Sequence, residues 1–169
     1  MSFSKHLIAQ VDAELHASRR VIERIPESML EWAPHEKSMD AKTLATHVAN
    51  LISWGAMIAT TEELDFQSDQ MKNWSPPEPD TVEEIAELLQ TNVDQLKGIL
   101  EGMSDTELQK PWVMRAGDQV YSSESRIDQI SRWVISHQVH HRGQLTVYLR
   151  MNDVPVPGIF GPSADEQGT

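Results

Sequence analysis

His137-Gln138-Val139-His140-His141-Arg142-Gly143-Gln144-Leu145-Thr146-Val147-Tyr148-Leu149-Arg150 lies inside a longer run, Ser125 to Asn152, whose apolar spacing predicts one helix. Ile127, Ile130, Val134, Leu145, Tyr148 and Leu149 recur at helical intervals. His137 and His141 fall in the same stripe, four residues apart, so their imidazoles lie one above the other on one face. A buried imidazole without a partner costs free energy. One divalent metal satisfies two such rings at once.

Working outward, three more helices are expected. Residues 3–25 carry Leu7, Val11, Leu15, Ser18, Ile22 and Ile25 near heptad spacing, and Pro26 ends the run. Residues 26–39 form a loop holding Trp32, Pro34 and an exposed His35. Asp40 is a good N-cap for a helix over 41–61 with the stripe Leu44, His47, Leu51, Trp54 and Ile58. Here too one His replaces an apolar residue. Residues 65–80 are a polar linker ending in Pro76, Pro77 and Pro79. Thr81 with Glu84 is a capping-box signature opening a helix over 82–101, and Gly102 fits its end. A short helical turn is expected at 105–109, a short hairpin is one reading of 110–124, and the tail from Asn152 is not helical.

Four long amphipathic helices without clear strands predict an all-α fold: a four-helix bundle, one domain over 1–169. The long loops leave room for a crossover connection.

Composition narrows the function. The chain has 169 residues, 14 Lys and Arg against 26 Asp and Glu, and a formal charge of −12. Such a surface repels phosphate backbones and anionic lipid, so neither nucleic acid nor a membrane is an expected partner. No apolar run approaches a membrane span, and Met1 to Gln10 lacks the apolar core of a signal peptide, so a cytoplasmic protein is expected. With no cysteine, thiolate nucleophiles and Cys-type zinc sites are excluded. A metal here must use His, carboxylate and water.

The candidate ligands are His47, His137 and His141. Three neutral imidazoles leave a divalent ion open positions for water or substrate, whereas structural zinc sites are usually closed by four protein ligands. His141 is favoured over His140 as the partner of His137, because i+4 stays nearer the stripe. His140 then points sideways, behind the ligands or at a subunit contact, and is the one candidate general base. The segment His137-Gln138-Val139-His140-His141 superficially matches H-E-x-x-H, but Gln138 stands where that motif needs a basic Glu, so a metalloprotease is rejected. Trp54 and Trp133 are placed to line a pocket, core packing being the stronger reading for Trp133. Arg142 suits a carboxylate, of substrate or of a neighbouring helix, and Gly143 suits close helix contact.

At these residues the chain resembles the DinB/YfiT-like superfamily of metal-binding four-helix bundles. Three pieces carry the resemblance: His47 within Leu44-Ala-Thr-His47-Val-Ala-Asn50, the H-x-x-x-H-R-G-Q-L segment from His137 to Leu145, and the tail from Val154 to Glu166. The resemblance implies that His47, His137 and His141 hold one divalent ion, typically nickel, zinc or iron-like. It implies a crossover bundle and often a homodimer. Relatives include transferases and isomerases that use a low-molecular-weight thiol cosubstrate, the metal activating a thiol or water. The expectation is therefore a metal-dependent thiol S-transferase or hydrolase-like enzyme acting on a small electrophile. The alternative is a non-catalytic metal-binding or stress-response protein in which the metal is structural or ligand-sensing.

Overall fold

The computed structural model describes residues 2–167. Four long helical runs enclose one apolar core, and a small sheet closes one end. The first, α1 (Phe3–Ile22), starts at Ser2, whose hydroxyl accepts from the Lys5 amide at 3.4 Å. It stops three residues before the expected 25. There the amides of Arg24 and Ile25 reach only three residues back, to Val21 and Ile22, and Pro26 follows.

The second, α2 (Ala41–Thr60), is capped by Asp40, whose carboxylate accepts from the Thr43 amide at 2.7 Å. Short β1 (Glu63–Asp65) runs into the stretch read as linker, and α3 (Asp69–Lys72) interrupts it. Next, α4 (Val82–Glu101) is capped by the Thr81 hydroxyl, with Glu84 reaching back to the Asp80 amide at 2.6 Å. A short α5 (Asp105–Leu108) precedes β2 (Pro111–Ala116) and β3 (Gln119–Ser125).

The last run is continuous but not uniform. It begins as α6 (Arg126–Gln129), widens into π-helix over Ile130–Ser136 and resumes as α7 (His137–Met151). Within the wide turn the Ser136 hydroxyl donates to the Ser131 carbonyl, five residues back, at 2.9 Å. A π turn holds more than 3.6 residues, and each inserted residue swings the following face by about 100°.

The all-α expectation is therefore corrected. The sheet has the order β1-β2-β3, with β1 parallel to β2 (Leu64 opposite Met114) and β2 antiparallel to β3. The hairpin foreseen at 110–124 is β2–β3. Its turn needs Gly117 at φ 57°, where a Cβ would also meet the Gln67 amide oxygen at 2.7 Å. β1 was unforeseen because three residues, Glu-Leu-Asp, are too short to show alternation, and its partner lies far along the chain.

Packing ties these parts to the site. α4 lies against both α1 and α2, while α1 and α2 touch little; α2 and α1 both pack on α7. Buried Asn92 of α4 donates to the Ala49 carbonyl at 3.0 Å. Buried Arg126 donates to the carbonyls of Ile58 (3.1 Å) and Thr61 (2.8 Å), supplying partners at the C-terminal end of α2. Gln129, wholly buried, donates to the Trp112 carbonyl at 3.0 Å and holds the sheet on the long helix. α2 and α7 thus face each other across a packed contact.

Candidate metal centre

α2 presents His47, and α7 presents His137 in its first turn and His141 in its second. The three rings meet. Centroids are 5.3 Å apart for His47 and His137, 4.6 Å for His47 and His141, and 4.7 Å for His137 and His141. One nitrogen from each ring lies within 4.8 Å of the others. Among the described residues no other group of three His, Asp or Glu side chains meets that spacing. The three residues singled out from sequence are the three that converge.

Their hydrogen bonds fix which nitrogens are free. His141 Nδ1 lies 2.7 Å from Gln144 Oε1, an acceptor, so Nδ1 carries the proton and Nε2 keeps its lone pair. That Nε2 faces His137 Nε2 at 2.9 Å. If His137 Nε2 donates, its buried Nδ1 becomes an acceptor without a donor; no partner meets hydrogen-bond geometry there. If instead Nδ1 carries the proton, toward the Trp133 carbonyl, two lone pairs confront each other at 2.9 Å. A cation between the rings removes both difficulties. The donor set of three imidazoles fits zinc, nickel, copper or iron, so the cluster could hold a metal ion.

The rings are also poised to ligate. Burial, reinforced by His141 and His137, lowers the pKa of His47 from 6.5 to about 4. Burial and the neighbouring His141 and His140 also lower that of His137, opposed by the Trp133 carbonyl. Both are therefore neutral at pH 7, and no proton need leave before a metal binds.

Other residues take clearer roles than their spacing suggested. Gln138 is wholly buried and donates to the Val48 carbonyl at 3.2 Å, so it faces the core and not the cluster. Arg142 is also buried. It pairs with Glu14 of α1 and donates to Ser18, so its carboxylate belongs to a neighbouring helix. The buried line of α7 is thus Gln138, Arg142, Leu145 and Leu149, with the half-buried His137 and His141 along its edge. Gly143 is exposed, and a Cβ there would meet nothing within 4 Å, so it serves no helix contact inside the chain.

His140 points outward and lies outside the cluster; its Nε2 accepts from the Gln144 amide at 3.3 Å. Gln144 thereby holds His141 on one side and His140 on the other, a role the sequence signalled only by its i+3 distance from His141. Trp133 packs against the core beside His137, centroids 6.4 Å apart. Trp54 and His47 line a cleft of about 800 Å³, roofed by Trp74, Pro76, Pro77 and Pro79. The roof was missed because residues 65–80 show no periodicity. His35 is exposed and remote, its Nδ1 accepting from the Lys37 amide at 3.1 Å.

The comparisons agree with this architecture. The model of the DinB family matches residues 1–167. An uncharacterized protein of Bacillus subtilis (strain 168), YrdA, is 24% identical over 162 residues, covering 95% of this chain and 90% of that protein. The crystal structure of a DinB-like protein of Bacillus subtilis, YjoA, superposes with a TM-score of 0.66 at 17% identity, covering 96% of this chain and 99% of that one. A DinB-like protein from Bacillus cereus ATCC 10987 gives 0.66 at 18% identity, covering 92% and 97%. Likeness at these identities concerns the fold alone.

Proposed function

This chain belongs to the DinB family, and from that premise we propose that His47, His137 and His141 bind one divalent metal in an enzyme acting on a small electrophilic molecule. The reaction class is thiol transfer, with a low-molecular-weight thiol as cosubstrate, or hydrolysis. When bound, the ion supplies open positions at which a thiol or water loses its proton near neutral pH. The protein's own part is positional. Gln144 fixes the tautomer and tilt of His141, and burial keeps His47 and His137 unprotonated. The cleft beside His47 admits the substrate. His140 is turned outward, touches Gln144 only through an exposed 3.3 Å bond, and is assigned no proton transfer.

The observation that carries this reading is the pair of facing Nε2 atoms at 2.9 Å with a third imidazole beside them. We read the whole chain as one domain, a four-helix bundle in which the near-absence of contact between α1 and α2 supports a crossover. No helix among the described residues is long and apolar enough to cross a membrane; a cytoplasmic protein is our reading. The exposed line His140, Gly143, Val147 and Met151 along α7 supports a homodimer.

The test is elemental analysis of tag-free protein beside His47→Ala and His137→Ala. One ion per chain in wild type, lost in both variants, is expected; a thiol-and-electrophile screen follows. No ion in wild type after incubation with nickel, zinc, manganese and iron overturns the proposal. One observation favours a second reading, a structural or sensing metal: the cluster holds no carboxylate and no free acid–base group. Chelation separates the two. A large fall in melting temperature without turnover supports the structural role.

A further inference from the structure

The cleft against His47 has a charge and a lining that specify what it takes. Two indoles, Trp54 and Trp74, and the prolines of the roof give it flat apolar walls, and Trp74 is 48% exposed, its ring still open to a ligand. Four carboxylates, Glu31, Asp40, Glu78 and Asp80, line it against a single cation, Lys42. That lysine is spent: its Nζ lies 3.1 Å from Asp80 and ties the roof to α2. Asp40 accepts from the Thr43 amide as the cap of α2, yet keeps its negative charge. Among the described residues no cation pairs with Glu31 or Glu78. The floor adds a separate sign of a missing partner. Thr46, beside His47 in sequence, is 8% exposed, lines the cleft, and its hydroxyl oxygen has no hydrogen-bond partner.

We propose that this cleft is a binding site for an organic ammonium ion of aromatic or similarly flat shape. Its cationic nitrogen lies over the indole faces and beside Glu31 and Glu78, with a polar group meeting the Thr46 hydroxyl. Aromatic faces attract cations through the ring quadrupole, and low-dielectric walls lined with one sign of charge concentrate the opposite ion. The same walls reject a carboxylate of equal size. The inference deepens the reading of the three-His site, since His47 belongs to both. It names the substrate class, while the cation-binding surface itself needs no metal.

The experiment titrates metal-free protein with benzyltrimethylammonium and with phenylacetate, and metal-loaded protein with the first probe alone because a carboxylate would ligate an open metal, following tryptophan fluorescence at low ionic strength. The first probe cannot ligate a metal. It is expected to bind at least about tenfold tighter than phenylacetate. Glu31→Gln with Glu78→Gln removes most of that preference, and Trp74→Leu weakens the cation several-fold. All three positions are exposed, and unchanged melting temperatures confirm the fold. Equal or tighter binding of phenylacetate overturns the inference, as does no binding of either probe at about 10 mM. So does a preference that survives all three substitutions, because the cation then sits elsewhere. Wild-type protein that takes up no metal yet prefers the cation sinks the three-His reading and leaves this one standing.

Discussion

Replacing Gln144 by Leu removes the acceptor that holds His141 while keeping the side chain's bulk. In the native arrangement the 2.7 Å bond to Gln144 Oε1 selects the tautomer of His141 that leaves Nε2 free. Without it the ring can carry its proton on Nε2, and a metal must displace that proton or wait for the other tautomer. Loss of such an outer partner typically weakens metal binding about tenfold to a hundredfold, or about 1.4–2.8 kcal/mol. Gln144 is half-buried, so water replaces part of the lost acceptor, which puts the expectation nearer the tenfold end. Gln144→Glu keeps an acceptor and makes the bond charge-assisted, so affinity is retained or raised. The assay is competition against a chromophoric chelator with nickel or zinc at pH 7.5. His140→Ala serves as a control, since its 3.3 Å bond to Gln144 is exposed and worth little. A Leu variant within about twofold of wild type, with the metal-free melting temperature unchanged, refutes the tautomer argument.

Three further outcomes are expected. Glu14→Leu leaves the guanidinium of Arg142, 3% exposed, without its carboxylate and costs about 3 kcal/mol, the Ser18 hydroxyl remaining as one acceptor. Glu14→Leu with Arg142→Met recovers most of the loss in urea unfolding, and a double variant no better than the single one counts against a buried pair. Gly143→Ala raises stability by about 0.8–1 kcal/mol, because the position is helical, exposed and open on every side; a loss instead points to contacts outside the chain. For the metal-free protein, His47 titrates near 4 when folded and near 6.5 when unfolded. The unfolded chain therefore takes the proton first, so stability is full above about pH 6.5 and falls as pH drops toward 4. Urea midpoints at pH 7.5, 6 and 5 show that slope, His47→Phe reduces it while the buried His137 keeps part of it, and a wild-type curve independent of pH in this range contradicts it.

The helices and the cluster were legible in the sequence because both rest on local rules. Asp40 and Thr81 announced their helices, and the i, i+4 spacing of His137 and His141 needed only a regular turn between them. What escaped depends on distance or irregularity. β1 exists because Glu63, Leu64 and Asp65 find β2 across the intervening helices, and Arg115 ties the two strands through Glu63 and Asp65. The widened turn over Ile130–Ser136 left no mark that a 3.6-residue period could detect. Gln138 and Arg142 lie on the buried face of α7 with Leu145 and Leu149, positions their polarity argued against. Arg142 is partnered there by Glu14, off the apolar stripe of α1, and by the Ser18 hydroxyl. The cleft roof is set by prolines and the Lys42–Asp80 tie, neither of which has a periodic signature.

The burial of Gln138 has an evolutionary corollary. A glutamine codon becomes a glutamate codon by one base change, so this chain stands a single mutation from His-Glu-Val-His-His, the signature by which zinc proteases are recognised. That mutant would not be a step toward a protease. Its new carboxylate would sit with no exposure against the carbonyl oxygen of Val48, acceptor facing acceptor, and could not reach a water on the metal side of the helix. The letters of the motif would be present and its phase would be wrong. Such a variant would lose stability without gaining a base, because the face of the helix on which residue 138 stands, and not the letters around it, decides what its side chain can do.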